Sequence, residues 1–226
     1  MRLTSGVPAE ELPLVDRQKL AAAVAASALV ESGMTVGLGT GSTVAFLLPV
    51  LAQRALDIRC VATSPATEAQ ARALGLTIGS FDEVAEFDIA IDGADQIAPD
   101  GWLVKGGGAA HTREKIVAAA ADRFVVIADA GKSVERITAP IPVEVLAYGL
   151  AATLRRLAPV QRRDVALSPD GGVIVDYVGR IDDPQATADW LAWTPGVVGH
   201  GLFPPDLVSD IFVAGPDGVE HLVVDH

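Results

Sequence analysis

Residues 34–56 read "MTVGLGTGSTVAFLLPVLAQRAL" and combine a short apolar segment, a glycine-rich turn and a long apolar segment. The first segment, 34–39, has the length and composition of a buried strand, and the third, 41–56, is long enough for a helix. Glycines let the backbone approach a ligand closely, and the first turn of a helix offers free N–H groups to an anion. The stretch therefore predicts a strand–turn–helix unit with an anion site at its turn.

The rest of the first 137 residues repeats this alternation of strands and helices. Strands that alternate with helices predict a parallel sheet with helices on its faces. We therefore expect an α/β fold with a Rossmann-like parallel sheet and helices on both faces. The further predicted helices are 16–32, 66–75 and 113–121, and the further predicted strands are 58–63, 87–92 and 123–129.

Near residues 139–150, "APIPVEVLAYGL", the pattern changes, which suits a crossover into a second domain. The segments that follow predict a small α+β (ferredoxin-like) domain over 138–205. The last segment predicts a hairpin with its turn at Gly215–Gly218. The first domain is then 1–137, completed by 206–226.

Composition limits the classes of function. The chain has 226 residues, a net charge of −12 and one cysteine, Cys60. An acidic protein repels nucleic acid and anionic membranes, so we expect neither as a partner. A single cysteine cannot form an internal disulfide, which fits a reducing cytosol and a buried strand cysteine. No apolar signal core appears in 1–13 and the run 44–52 is too short to span a bilayer, so we expect a soluble cytoplasmic protein.

The turn at 39–43, "GTGST", has no nucleotide signature. A dinucleotide fingerprint needs glycine at Ser42 and an acid after the next strand, and a P-loop needs a lysine after its second glycine. The turn is therefore either an anion cradle, with hydroxyl groups from Ser42 and Thr43, or a simple tight turn.

A second cluster lies in "IDGADQIAPDGWLVKGGGAAHTREK", residues 91–115. Asp92 and Asp95 follow a predicted strand, and their carboxylates suit proton transfer, helix capping or metal binding. The metal alternative is weaker because the four histidines form no ligand pair. Lys105 precedes three glycines, so a cation adjoins exposed N–H groups, as a developing oxyanion requires. Glu114 opens a predicted helix, as a base or as an acid favoured by the helix dipole.

These blocks, with "PIPVEV" at 140–145, "GVV" at 196–198 and "GLF" at 201–203, resemble the type A ribose-5-phosphate isomerases along nearly the whole chain. The resemblance implies an aldose–ketose isomerase that interconverts ribose 5-phosphate and ribulose 5-phosphate by proton transfer through an enediolate. It also implies no cofactor, and a homodimer or homotetramer. The absence of a histidine cluster beside Asp92 and Asp95 predicts that no metal is needed.

The resemblance further assigns roles by position. Glu114 matches the proton-abstracting base, Asp92 the group for ring opening, and Asp95 a carboxylate at the sugar hydroxyls. Lys105 matches the cation that stabilises the enediolate. The matched substrate-binding positions are Lys19, Thr40, Gly41, Ser42, Thr43, Gly93, Ala94, Gly106, Gly107, Gly108 and Lys132, although Lys132 read alone is as well explained by solvation.

Three positions depart from the family pattern: Gln96 replaces a usual acid, Pro65 a polar residue, and His111 an apolar residue. Two other classes remain open. A non-catalytic sugar-phosphate sensor would need a DNA-binding helix pair and basic charge. The second class is a different enzyme of related architecture, either an amino-sugar phosphate isomerase–deaminase or a coenzyme A transferase. The deaminase would need a histidine–acid pair.

Overall fold

The computed structural model describes residues 11–224. The ends of the predicted first domain, 1–10 and 225–226, lie outside the described residues, as does most of the segment in which we expect no signal core. In chain order the elements are α1 (Leu14–Ser27), β1 (Thr35–Leu38), α2 (Ser42–Arg54), β2 (Arg59–Ala62), α3 (Pro65–Ala73), β3 (Thr77–Ile78), β4 (Ile89–Gly93), β5 (Gln96–Ile97), β6 (Leu103–Val104), α4 (His111–Ala119), β7 (Phe124–Asp129), β8 (Ile141–Val145), α5 (Leu150–Leu157), β9 (Val160–Arg162), β10 (Val173–Tyr177), α6 (Pro184–Trp193), β11 (Val197–His200), β12 (Leu202–Phe203), β13 (Asp210–Gly215) and β14 (Gly218–Val223).

The chain forms two compact units. Within the described residues, the first comprises 11–93, 116–132 and 206–224, and the second comprises 94–115 and 133–205. The predicted small domain, 138–205, falls wholly inside the second unit. The segment 94–115 groups with the second unit because its strands β5 and β6 build a three-stranded sheet with β12.

The first unit is built on a seven-stranded sheet of order β14-β13-β7-β4-β1-β2-β3. Every pairing in it is parallel except that of β13 with β14, which form the predicted hairpin through the pair Gly215–Gly218. Cys60 lies fully buried on β2, as expected, and burial raises the pKa of its thiol to about 12. The predicted α/β class with a mainly parallel sheet is confirmed.

Helices cover both faces of this sheet. Successive side chains on a strand point to opposite faces. Val36 and Leu38 of β1 join the apolar cluster that contains alanines of α1 and leucines of α2. Gly37, between them, points the other way, and a Cβ there would lie 2.5 Å from the side chain of Val117 on α4. The missing side chain of Gly37 therefore lets α4 pack directly on the second face.

Parallel pairing brings four loops of the first unit to one edge of the sheet. β1, β2, β4 and β7 run in the same direction as neighbours, so the loops after their carboxyl ends share that edge. In open α/β sheets this is the edge where ligands bind. The segments at this edge are the loops 39–43, 63–64 and 130–132 and the last two residues of β4, 92–93.

The second unit contains an antiparallel sheet of order β11-β8-β10-β9. Its elements follow each other as β8, α5, β9, β10, α6 and β11, which is the β-α-β-β-α-β connectivity of ferredoxin-like folds. Ile141, Val143 and Val145 of β8 pack with Leu157 and Leu191 of the two helices in one core. The crossover predicted at 139–150 thus contains β8, one of the two inner strands of this sheet.

Among residues 11–224, no helix is both long and apolar enough to pass through a bilayer.

Candidate active site

The turn after β1 leaves the start of α2 open to a ligand. Gly41 precedes the helix with φ +124°, a backbone conformation that favours glycine, and no side chain caps the helix. Ser42 is exposed at the first helical position and Thr43 is buried beside it. The first N–H groups of α2 therefore face outward, as an anion site requires.

Asp92 is fixed against this turn. Its Oδ1 accepts hydrogen bonds from the N–H of Thr40 at 3.1 Å and of Gly93 at 2.7 Å. A Cβ on Gly39 would lie 1.9 Å from the carboxyl carbon of Asp92, so only glycine allows the approach. The side chain is buried at 2 % exposure. Backbone donors of this kind stabilise the charge of a carboxylate and hold it in one orientation.

The loop after β2 supports the same turn. The hydroxyl groups of Thr40 and Thr63 are 2.8 Å apart, and Thr67 donates to the carbonyl oxygen of Gly39 at 2.9 Å. Ser64 caps α3 through the N–H of Thr67. Pro65 occupies the first turn of α3, where a missing N–H costs nothing, which accounts for this departure from the family pattern.

Four further predicted binding positions lie on α1, in the loop after β7 and at the end of β4. Lys19, on α1, has its Nζ 3.7 Å from Asp16 Oδ1, one turn earlier. Lys132 is half-buried at the end of the loop after β7. Gly93 ends β4, and Ala94, half-buried, begins the second unit.

The second unit contains a buried ion pair. Lys105 Nζ lies 3.2 Å from Glu114 Oε2, and each side chain is only 2 % exposed. The Lys105 backbone N–H donates to the carbonyl oxygen of Gly201, and Nζ lies 5.4 Å from the ring centre of Phe203. The predicted base and the predicted cation are thus in direct contact, in surroundings where electrostatic interactions are strong.

The glycine turn beside this pair is tied to Asp95. Gly107 donates its N–H to Asp95 Oδ2 at 2.7 Å. Gly106 has φ +104°, and a Cβ there would meet His111 and Pro142 at less than 3 Å. The three glycine N–H groups are therefore not equivalent as donors to a ligand, because the N–H of Gly107 already donates to Asp95.

Two contacts of the site have no signal in the sequence. Arg163 donates to the carbonyl oxygen of Gly106 at 2.8 Å, and Thr112 donates to the buried carboxylate of Glu144. The partners are 57 and 32 positions apart in the chain. Only the folded chain shows that these side chains support the glycine turn and the start of α4.

A cluster of basic groups lies beside the ion pair. Lys115 Nζ donates to the carbonyl oxygen of Leu202 at 2.7 Å and lies 3.3 Å from His200 Nδ1. Burial lowers the pKa of Lys115 to about 7. Burial also lowers the pKa of His111 and of His200 to about 3, and the nearby Lys115 contributes to both shifts. The histidine that departs from the family pattern is therefore a neutral, buried residue.

Gln96, another departure, has a structural role. Its side-chain amide accepts from the N–H of Thr138 at 2.9 Å and donates to the carbonyl oxygen of Thr138 at 2.8 Å. Both groups of a neutral amide are used, so a carboxylate could make only one of these bonds.

Over residues 11–224, no group of three or more His, Cys, Asp and Glu side chains is placed to hold a metal ion. The features above are a glycine-rich turn at an uncapped helix start with a fixed carboxylate and, in the second unit, a buried lysine–glutamate pair. On a mainly parallel sheet, features of these kinds are typical of one class: α/β enzymes that perform acid–base chemistry on small anionic substrates.

Comparison with known proteins narrows this class. Residues 59–218 match the family model of ribose 5-phosphate isomerase A (phosphoriboisomerase A). A ribose-5-phosphate isomerase A of Roseiflexus sp. strain RS-1 is 48% identical over 210 residues, covering 85% of this chain and 90% of its own. The solved ribose 5-phosphate isomerase A of Methanocaldococcus jannaschii aligns with a TM-score of 0.87 at 33% identity, covering 92% of this chain and 99% of that one. A D-ribose-5-phosphate isomerase solved in complex with phospho-erythronic acid aligns with a TM-score of 0.88 at 33% identity, covering 93% and 100%.

The chain belongs to the ribose 5-phosphate isomerase A family. The resemblance inferred from the sequence is confirmed. The matches favour the isomerase over the sensor, the deaminase and the coenzyme A transferase.

Proposed function

We propose that the protein interconverts D-ribose 5-phosphate and D-ribulose 5-phosphate, in the non-oxidative pentose phosphate pathway, by proton transfer through an enediolate. The observation that carries the mechanism is the contact of Lys105 with Glu114 at 3.2 Å, with both side chains buried. A carboxylate base and a cation in contact, away from water, are what the two proton transfers and the charged intermediate require.

Glu114 is the base in this proposal. It removes the proton from C2 of the open-chain aldose and returns a proton to C1. In the intermediate the hydroxyl proton of O2 passes to O1, so the carbonyl moves from C1 to C2. The intermediate carries negative charge on its oxygens. Lys105 stabilises that charge, and so do those N–H groups of the glycine turn that are not already bonded within the protein.

Asp92 and Asp95 act on the sugar hydroxyl groups. In ring opening the C1–O4 bond breaks, the C1 hydroxyl loses its proton and the ring oxygen O4 gains one. We assign this proton transfer to Asp92, which two N–H donors hold in one orientation. Asp95, which accepts from Gly107, is assigned to a neighbouring hydroxyl group. In this proposal Asp92 acts in ring opening and Asp95 in substrate placement.

The phosphate is assigned to the start of α2. Thr40, Gly41, Ser42 and Thr43 surround a helix start that no side chain caps. Lys19 and Lys132 add positive charge in the proposal, and Gly93 and Ala94 border the sugar. Anchoring the far end of the substrate lowers the entropic part of the barrier. Alanine at Ser42 and Thr43 should therefore raise KM more than it lowers kcat.

A related ligand supports the enediolate. The relative described above was solved with phospho-erythronic acid. This compound has a carboxylate beside a hydroxylated carbon, which resembles the planar, charged enediolate of a five-carbon substrate. Transition-state and intermediate analogues bind more tightly than substrates. We expect this protein to bind phospho-erythronic acid more tightly than ribose 5-phosphate.

The assembly and setting are also part of the proposal. We infer a cytoplasmic homodimer or homotetramer whose partner is a small sugar phosphate, with no metal, no other cofactor, and neither nucleic acid nor membrane bound. Light scattering after size-exclusion chromatography measures the assembly, and a monomer at assay concentration would contradict it.

The deciding experiment follows ketose formation from ribose 5-phosphate in D₂O. Proton transfer through a carboxylate places solvent deuterium at C1 of the ribulose 5-phosphate. Mass spectrometry or NMR of the product measures the incorporation. No ketose would refute the function. Ketose whose C1 hydrogen comes wholly from C2 of the substrate would leave the proton-transfer route unsupported, without contradicting the function.

A further inference from the structure

The peptide between Gly106 and Gly107 is held at both ends by charged side chains. Arg163 Nη1 donates to the carbonyl oxygen of Gly106 at 2.8 Å, and the N–H of Gly107 donates to Asp95 Oδ2 at 2.7 Å. The carbonyl and the N–H of a planar trans peptide point in opposite directions. The guanidinium that fixes the carbonyl therefore also fixes the N–H that Asp95 accepts.

The next peptide is aligned by the same nitrogen. Arg163 Nη1 lies 3.4 Å from the carbonyl oxygen of Gly107, also within hydrogen-bond range. The N–H of Gly108 then points away from Arg163. Within 11–224 this N–H has no hydrogen-bond partner, and Gly108 is exposed. One donor of the glycine turn thus remains available to a ligand, in an orientation that the guanidinium sets.

Asp176 holds Arg163 in place. Arg163 Nε and Nη2 donate to the two carboxylate oxygens of Asp176 at 2.7 and 2.6 Å, and both side chains are 18% exposed. Two parallel bonds fix the plane of a guanidinium. The remaining nitrogen, Nη1, is thereby directed at the two carbonyl oxygens. Asp176 lies on β10, which pairs with β8 and β9 in the second unit.

We propose that Arg163 is a positioning residue for the isomerisation, which sets the orientation of Asp95 and of the Gly108 N–H. The inference rests on the proposed function, because it gives that N–H the charge of the enediolate to stabilise. The guanidinium also polarises the peptide between Gly106 and Gly107, which strengthens its hydrogen bond to Asp95.

Arg163→Met tests the inference, with Arg162→Met as its control. Methionine keeps an unbranched apolar chain and removes every donor. Arg162 is the neighbouring, exposed arginine, so its replacement removes the same charge from the same strand end. Misplaced catalytic groups cost up to about 100-fold in rate. We expect Arg163→Met to lower kcat by about 10- to 100-fold, with KM for ribose 5-phosphate little changed.

The affinity for phospho-erythronic acid separates positioning from folding. If the turn is misplaced, the inhibition constant rises by a factor close to the fall in kcat, because the analogue carries the charge of the enediolate. A loss of folded protein would lower kcat and leave the inhibition constant unchanged, and this result would overturn the inference.

Arg163→Lys and Asp176→Asn complete the test. Lysine keeps the charge but not the planar fork, so it should restore only part of kcat. Full restoration by lysine would overturn the inference, because charge alone would then suffice. Asp176→Asn keeps the size of the side chain and should also lower kcat and weaken analogue binding. If Arg163→Met does not fold, this variant tests whether Arg163 must be held in place for activity.

Two failures are distinguishable. A wild-type protein that forms no ketose would refute the proposed function and this inference together. An active wild type with Arg163→Met and Asp176→Asn equal to Arg162→Met would refute the inference alone.

Discussion

At the scale of single residues, Lys105 and Glu114 are the least expected arrangement in the protein. Removing two charges from water costs several kcal/mol per ion, and their mutual attraction often fails to exceed that cost. At 2 % exposure each, the pair is therefore weak evidence for stability. A buried carboxylate in contact with a buried lysine is instead an arrangement expected of a functional site, which agrees with the role proposed for both residues.

Glu114→Gln tests that role directly. Glutamine keeps the size of the side chain and cannot accept the C2 proton. We expect kcat to fall by roughly 10²–10⁴, the usual contribution of a general base, while phospho-erythronic acid still binds. Glu135→Gln, at an exposed position of the second unit, is the control. A near-normal kcat in Glu114→Gln would rule out Glu114 as the base.

Lys115 should make stability depend on pH. In the folded protein burial lowers its pKa from 10.5 to about 7. Above about pH 7 the folded chain loses this proton and the unfolded chain keeps it, so stability rises with pH, by up to about 1.4 kcal/mol per pH unit. In the folded state His111 and His200, with pKa values of about 3, and Cys60, with a pKa of about 12, keep their protonation between about pH 7 and pH 8.5.

Urea unfolding of the wild type and of Lys115→Met across this pH range measures the effect. The free energy of unfolding of the wild type should rise relative to that of the variant as pH increases. Parallel pH dependences in the two proteins would mean that Lys115 does not titrate in this range.

At the scale of elements, the sequence predicts best where one segment carries a complete signal. The unit at 34–56 is such a case, since its strand, turn and helix are adjacent, and the structure gives β1 and α2 there. The two-residue strands β5 and β6 are too short to show an alternation of apolar and polar residues. The strand β8 was not predicted because prolines lie just before it and within it. Contacts such as Arg163 with Gly106 join distant segments and leave no local pattern.

The turn after β1 yields a prediction of its own. Gly39→Ala places a methyl group 1.9 Å from the carboxyl carbon of Asp92, so the carboxylate or the turn must move. A displacement of about 1 Å costs up to about 100-fold in rate, and we expect kcat/KM for ribose 5-phosphate to fall by about that factor.

Gly215→Ala is the matched control at the end of β13. A Cβ there meets only Ala130 at 3.9 Å, an ordinary contact, so stability and kcat/KM should stay near wild type. Equal kcat/KM values for the two variants would mean that close packing of Gly39 on Asp92 does not matter for activity.

At the scale of the whole molecule, the alternation of strands and helices predicted the sheet, because parallel neighbours need a long crossover connection, which is usually a helix. The order β14-β13-β7-β4-β1-β2-β3 was not predictable, since periodicity shows that a strand exists and not which strand lies beside it. The same limit applies to 94–115. The residues proposed for catalysis are readable in the sequence, but the grouping of this segment with the second unit depends on the pairing of β6 with β12.

Metal independence is a prediction for the whole protein. The donor set of the proposed chemistry is a carboxylate, a lysine and backbone N–H groups, and none of these steps calls for a Lewis acid. Exhaustive dialysis against a chelator should leave kcat/KM unchanged. Activity that chelation removes and one divalent ion restores would reassign Asp92 and Asp95 as metal ligands.

The burial of Cys60 has a practical consequence for labelling. The chain has no other thiol, and this one is fully buried with a pKa of about 12, so it stays unreactive while the protein is folded. A cysteine introduced on the exposed surface is then the single labelling position, and no native residue has to be removed first. A maleimide fluorophore at position 135, which is exposed and outside the proposed site, would then give one label per chain.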